Sequence, residues 1–207
     1  SMNRKERRPP QKRPTRAKAP AGLTLPEALQ QLVALYEGGK LPEALQLCRQ
    51  VLKAAPGDPN LLHMAGTIAA QLGEHAETVE FLQAALAVDP DRGDAFYNLG
   101  NALGALGRFE EAIDAFSEAA EREPGLAEAH NNLGIVLAAT GRSEEAAAAY
   151  RRAIEARPEH AGAHNNLAIA LFEMGRPEEA EAACRQAIAL DPSMATAYNG
   201  LANILKA

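Results

Sequence analysis

Tryptophan is absent from this 207-residue sequence, and aromatic residues make up only 4% of it. Without large rings or long β-branched runs, an all-β core has little to be built from. The 47% of hydrophobic residues are dominated by Ala and Leu, which suits closely packed helices. Cys48 and Cys184 are too few for a disulfide framework. No apolar stretch approaches the roughly 18 residues of a membrane-crossing helix. The basic N-terminus is not followed by the apolar segment of a secretory leader. The expectation is a cytoplasmic protein with no membrane partner. Ser1 is read as a cloning remnant before a start methionine and is left out of fold reasoning.

Cations are scarce after the first residues. Residues 1–22 hold eight Lys/Arg and a single acid, net +7, whereas residues 23–207 hold 13 basic and 26 acidic residues, net −13. The first segment also carries Pro9, Pro10, Pro14 and Pro20 and almost nothing apolar. Such a composition cannot bury enough surface to offset its ordering entropy. Residues 1–22 are therefore expected to be a disordered basic tail. It is read either as a solvating leader or as a contact to anionic phosphates. No aromatics are interleaved to stack on bases, and no nucleic acid is expected on the rest of the chain.

What the sequence does have is a period. Pro56, Pro90, Pro124, Pro158 and Pro192 stand 34 residues apart. Gly39, Gly73, Gly107, Gly141 and Gly175 keep the same interval, as do Ala44, Thr78, Ala112, Ala146 and Ala180. Each column has a physical meaning. The glycine ends a first helix where a positive φ is needed. The proline follows a second helix that it cannot continue. The small Ala or Thr sits where two helices approach. Between these marks the apolar spacing is helical, as in Ala112, Ile113, Phe116, Ala119 and Ala120. Thr24 and Glu27 have the spacing of a capping box and predict a helix start.

At this point the sequence resembles the tetratricopeptide repeat family. Its pattern reads Phe96, Leu99, Gly100, Leu103, Ala112, Phe116, Pro124 in one unit and His130, Leu133, Gly134, Leu137, Ala146, Tyr150, Pro158 in the next. The following unit reads His164, Leu167, Ala168, Leu171, Ala180, Cys184, Pro192. The resemblance covers residues 25–207, with units 25–58, 59–92, 93–126, 127–160 and 161–194 and a partial unit 195–207. It implies an all-α solenoid of stacked helical hairpins that winds into a right-handed superhelix and binds proteins or peptides. In the first unit Leu32 replaces the small residue at the helix crossing. The partial unit, with Tyr198, Leu201, Ala202, Ile204 and Leu205, offers little of the polar face that ends a solenoid. The chain is expected to be part of a longer protein, with docking of this helix on another chain as the alternative.

Several patterns are set aside. Gly100, Gly104 and Gly107 fit neither a dinucleotide fingerprint nor a phosphate loop, and no strand precedes them. His130 and His164 replace a packing residue of the first helix, and no ligand set completes them. Cys48 and Cys184 share a column four units apart, far beyond disulfide reach, and no positioned base recurs near either. No catalytic residue, metal or cofactor is expected.

The surface expected to work is the concave one, lined by the first helices. Asn98, Asn132 and Asn166 recur 34 apart, flanked by Asn131, Asn165 and Asn199, with Asn101 one turn further along. Asn is a mediocre helix former. Its amide has two donor hydrogens and an acceptor oxygen that can hold the backbone of an extended peptide. The alternative is that these amides bond to one another and satisfy the groove. The strings Asn-Asn-Leu-Gly and Asn-Asn-Leu-Ala (131–134, 165–168) resemble the repeat arm of O-linked N-acetylglucosamine transferases. That resemblance implies substrate-polypeptide binding by Asn98, Asn132 and Asn166. Met64 and Gly200 break the column at either end, and no transferase domain is present. A carboxylate clamp is not expected. The matching positions, among them Asn60, His63, Asp94, Tyr97 and Glu128, offer neither Lys nor Arg. Two functions remain open at this stage. One is a peptide-recruiting arm, and the other is a scaffold that oligomerises through its terminal helix.

Overall fold

In a computed structural model of the chain, residues 24–206 are described. The expected disordered tail, 1–22, lies outside them. The described residues form eleven α-helices. They are α1 Leu25–Glu37, α2 Leu41–Ala54, α3 Pro59–Leu72, α4 His75–Val88, α5 Gly93–Ala105 and α6 Phe109–Arg122. After these come α7 Ala127–Ala139, α8 Ser143–Ala156, α9 Ala161–Glu173, α10 Pro177–Leu190 and α11 Ala195–Ile204. Odd and even helices pair into five hairpins, each even helix docks on the next odd one, and α11 lies against α10 and α9. The architecture is the all-α superhelical solenoid that the period implied.

The glycine column sets the hairpin. Gly39, Gly73, Gly107, Gly141 and Gly175 all have φ between 69° and 79°. The residue after each glycine reaches back to an orphan carbonyl of the first helix. Lys40 N–H donates to Leu35 O, Glu74 to Ala69, Arg108 to Leu103, Arg142 to Leu137 and Arg176 to Leu171, each at 2.9 Å. Each column proline follows the end of an even helix. Thr24 N–H donates to the Glu27 carboxylate at 2.7 Å at the start of α1.

The proline carbonyls are exposed acceptors between units, and each later unit satisfies one with a different side chain. Arg122 Nε donates to Pro90 O at 2.8 Å while its guanidinium lies 4.6 Å from the Phe96 ring centre. His130 Nε2 bonds Pro124 O at 3.1 Å, and His164 Nε2 bonds Pro158 O at 2.9 Å. The two histidines thus act as staples between a turn and the next helix. His160 caps α9 with Nδ1, which accepts from Ala163 N–H at 3.1 Å.

Inside the second, third and fourth hairpins a glycine on the odd helix faces a large residue on the even helix. A Cβ placed on Gly66 would lie 2.6 Å from Leu82, on Gly100 2.7 Å from Phe116, and on Gly134 2.5 Å from Tyr150. At the same register the first unit has Leu32 with Cys48, both fully buried, and the fifth has Ala168 with Cys184. In the first four hairpins size is traded across the crossing, so that one large residue fills the close-packed space from one side or the other. In the fifth both residues are small. This explains both cysteines as small core residues. Burial pushes the Cys48 thiol up to about 11 and raises that of Cys184 too, away from the reactive thiolate.

Successive odd helices touch one another (α3 with α5, α5 with α7, α7 with α9, α9 with α11), so they line the inner side of the curve. The even helices splay on the outer side. Between α6 and α8 this opens a wedge of about 960 Å³, lined by Ile113, Leu133, Leu137 and Ala149 with charged residues at its rim.

Candidate functional site

The inner face is built from a few registers of the odd helices. One register carries Asn98, Asn132 and Asn166, a second carries Tyr97, Asn131, Asn165 and Asn199, and a third, one turn on, carries Val33, Thr67, Asn101, Ile135 and Ile169. The hairpin rotation gives these registers different depths. Asn131 and Asn165 are buried, at 8% and 7% exposed, whereas Asn98, Asn132 and Asn166 are half-buried and Asn101 and Asn199 exposed.

The amides form a chain across three units. Asn132 Nδ2 donates to Asn101 Oδ1 at 2.9 Å and approaches the Tyr97 hydroxyl at 3.5 Å. Asn131 Nδ2 donates to Asn132 Oδ1 at 3.3 Å, and Asn166 Nδ2 donates to Asn131 Oδ1 at 3.1 Å. The buried Asn131 therefore positions two surface amides from below. Asn165 Oδ1 is buried without a partner among the described residues. Asn98 makes no side-chain hydrogen bond among the described residues. It opens on a cavity of about 270 Å³ with Thr67, Gln71, His75 and Asn101. Asn199 sits on α11, away from this chain. The sequence brings seven asparagines to notice, and the structure connects four of them directly.

The acids at the edge of the groove are matched. Glu128 accepts from Arg157 at 2.6 Å, and this hydrogen bond holds its carboxyl below the usual range. His63 Nε2 lies 3.2 Å from the Asp94 carboxylate, but off the direction that a hydrogen bond needs. Burial dominates there and lowers the His63 pKa, partly opposed by Asp94. Arg92 bridges Asn60 at 2.7 Å and Asp89 at 2.9 Å.

Periodicity alone passed over the apolar side chains on this face. Ile135 and Ile169 are each 46% exposed, and Val33 is 42% exposed. All three share the register of Asn101. The signal was available as β-branched residues 34 apart at a position that is not core. Among the described residues no group of three or more His, Cys, Asp or Glu side chains could hold a metal ion, and no helix is long and apolar enough to cross a membrane.

Comparison with known proteins agrees with this construction. Structures of MamA share the fold, one at 25% identity with a TM-score of 0.75, covering 78% of this chain and 95% of that one. MamA 41-end from Desulfovibrio magneticus RS-1 superposes with a TM-score of 0.75 at 20% identity, covering 82% and 96% of the two chains. YrrB, described as a TPR protein with an unusual peptide-binding site, gives a TM-score of 0.76 at 24% identity over 83% of this chain and 89% of its own. Among curated proteins none matches. The tetratricopeptide repeat model matches residues 29–59, 63–127, 97–161, 131–195 and 165–205, each long match spanning two neighbouring hairpins. With its glycine turns, its proline stops and its small-to-large crossings, the chain belongs to the tetratricopeptide repeat family.

Proposed function

We propose that the inner face holds an extended segment of a partner polypeptide, with the amides of Asn98, Asn101, Asn132 and Asn166 on its backbone. The family mediates protein–protein interaction, and the reading adds where and how. The amides do bond to one another, and the observation that carries the reading is what this chain leaves open: Asn98, Asn101 Nδ2 and Asn166 Oδ1 take no side-chain partner among the described residues. Asn101 and Asn132, on neighbouring helices, are joined by a 2.9 Å bond, and Asn98 is left without a partner. In this reading Asn131 is a positioning residue that holds Asn132 and Asn166. Asn165 stands beneath the surface, and Asn199 would meet a ligand only at the far end. Backbone-directed amides tolerate many sequences, as a substrate-recruiting arm of a larger protein requires. The resemblance of residues 131–134 and 165–168 to the arm of O-linked N-acetylglucosamine transferases points the same way. YrrB, of the same fold, is described as having a peptide-binding site. No catalytic step belongs to this reading.

The test is the triple substitution Asn98→Ala, Asn132→Ala, Asn166→Ala. Peptide affinity should fall while helicity is kept, because Ala is the better helix former. Melting should drop modestly, since the buried Asn131 amide loses Asn132 and Asn166 as partners. A triple variant that bound peptides as tightly as the parent would end the proposal.

A second reading rests on α11, where Tyr198 is 47% and Leu205 61% exposed. In it the chain self-assembles through this helix. An assembly seen by light scattering and abolished by Leu205→Lys, at the exposed face rather than at the core-packed Leu201, would favour it over a monomeric arm.

A further inference from the structure

Gly104 has no structural reason to be glycine. It lies in the last turn of α5, one residue before the helix ends, where Ala is the better helix former. Its backbone is ordinary helix, and a Cβ built on it would meet nothing within 4 Å. Its counterparts in the other units are Tyr36, Ala70, Ala138 and Phe172. The open space beside it is a pocket of about 280 Å³ between α5 and α7 on the inner face. Phe116 forms its floor, reached past Gly100. Phe109 and Ile135 form its walls, exposed at 40% and 46%. The hydrogen-bonded pair Asn101 and Asn132 sits at its rim. Only the third unit combines glycine at this register with a large aromatic at the start of its even helix, where the others have Leu41, His75, Ser143 and Pro177.

We propose that this pocket takes one apolar side chain of a bound polypeptide and so sets which sequences the amide chain accepts. The inference rests on the inner-face reading above. The pocket lies below the roughly 300–1,000 Å³ of small-molecule sites, and every lining residue is uncharged. It is sized for a single Leu, Ile, Met or Phe side chain whose adjacent peptide group meets the Asn101 and Asn132 amides. The chain's own basic segment is a poor match, because among these side chains residues 1–22 offer only Met2, followed closely by Arg4, Lys5, Arg7 and Arg8, cations for which the uncharged lining has no partner. The occupant is therefore an extended stretch of another protein. Side chains of an extended segment share a face at every second residue, and four residues span about 13 Å. The pocket lies between α5 and α7 and Ile169 on α9, so a second apolar side chain four positions from the first would lie on the exposed Ile169.

A phage-displayed library of random linear peptides, selected on the full chain, tests this. Enriched peptides should share one fixed apolar residue, with a second four positions away on the same face. Gly104→Phe, which fills the pocket from an unobstructed Cβ, should weaken the selected peptides by at least about tenfold, the effect of one lost apolar burial. Ile135→Lys, at a position 46% exposed, should do the same, with helicity and melting measured alongside to show that the fold is kept. Peptides bound equally by the parent and both variants would overturn the pocket and leave the amide reading standing. Loss on the pocket variants but not on the triple asparagine variant would support the pocket and remove the amide reading. Failure to enrich any peptide, or pocket variants that change only the oligomeric state, would overturn the proposal.

Discussion

The first two hairpins, residues 25–92, and the next three, residues 93–194, follow one backbone plan but hold themselves together differently. In the later three, Arg108, Arg142 and Arg176 each pair with a glutamate three residues on (Glu111, Glu145, Glu179) at the start of the even helix, at 2.6 to 2.7 Å. In the second hairpin Glu74 stands in place of the arginine, and Glu77 takes Arg49 from the previous unit instead, at 2.7 Å. The core divides close by, within α4, whose Ala85 belongs to the earlier cluster and whose Val79, Leu82 and Leu86 belong to the later one. One buried cluster runs from Ala28 to Ala85, and a second begins at Val79 and continues to Ile204. The inner face changes too. Met64 and His63 stand where the later units carry asparagines. The difference teaches that backbone register and surface chemistry are separable. Turn glycines, stop prolines and a close helix crossing hold the geometry, which leaves the inner registers free to vary between regions.

The volume trade can be broken first, because it carries the largest effect. Tyr150→Cys should leave a cavity beneath Gly134 and destabilise the protein by about 3 kcal/mol, read by urea unfolding. Gly134→Leu alone should cost roughly 1–3 kcal/mol through overpacking against Tyr150. The double variant reproduces the Leu32–Cys48 pair of the first hairpin and should recover most of the loss. Additive losses would show that the two regions do not share one packing rule.

The thiols come next. Both cysteines should resist alkylation by iodoacetamide at neutral pH in the folded protein and react only with unfolding, since burial raises both pKa values. Fast labelling of Cys48 would mean that the first hairpin opens more readily than the later ones.

A smaller effect separates the inner faces by pH. The lowered pKa of His63 means that the unfolded chain takes up its proton first as pH falls. Stability should therefore drop below about pH 6.5, the ordinary histidine value. His63→Asn, which gives the second hairpin the side chain of Asn131 and Asn165, should remove this component of the pH dependence, read by melting between neutral and mildly acidic pH. An unchanged profile would place the acid sensitivity elsewhere. The smallest effect belongs to the surface pairs. Arg142→Ala should leave melting within repeat error, because an exposed ion pair is screened by solvent and salt.

Much of the fold was legible in the residues. The turn glycines, the proline stops and the start of α1 follow from steric and hydrogen-bonding rules that act within a few residues. They can be read wherever the period repeats. The buried cysteines were legible because they share a column. The trade of Leu32 with Cys48 against Gly100 with Phe116 was not, because it links positions on two helices that only folding brings together. On the candidate site, the asparagine registers announced themselves, but the weights of their members did not. Asn131 and Asn132 are adjacent in sequence, yet one is sealed and the other reaches the groove.

The sequence by itself determined the period, the helix ends and the placing of the odd helices on the inner side. These depend on local backbone preferences and on apolar stripes that repeat with every unit. Only the tertiary structure decided how deep each asparagine lies, which amides join, and that Gly104 leaves a pocket. Those outcomes depend on the rotation of one hairpin against the next, a sum over many contacts between helices that no single register contains.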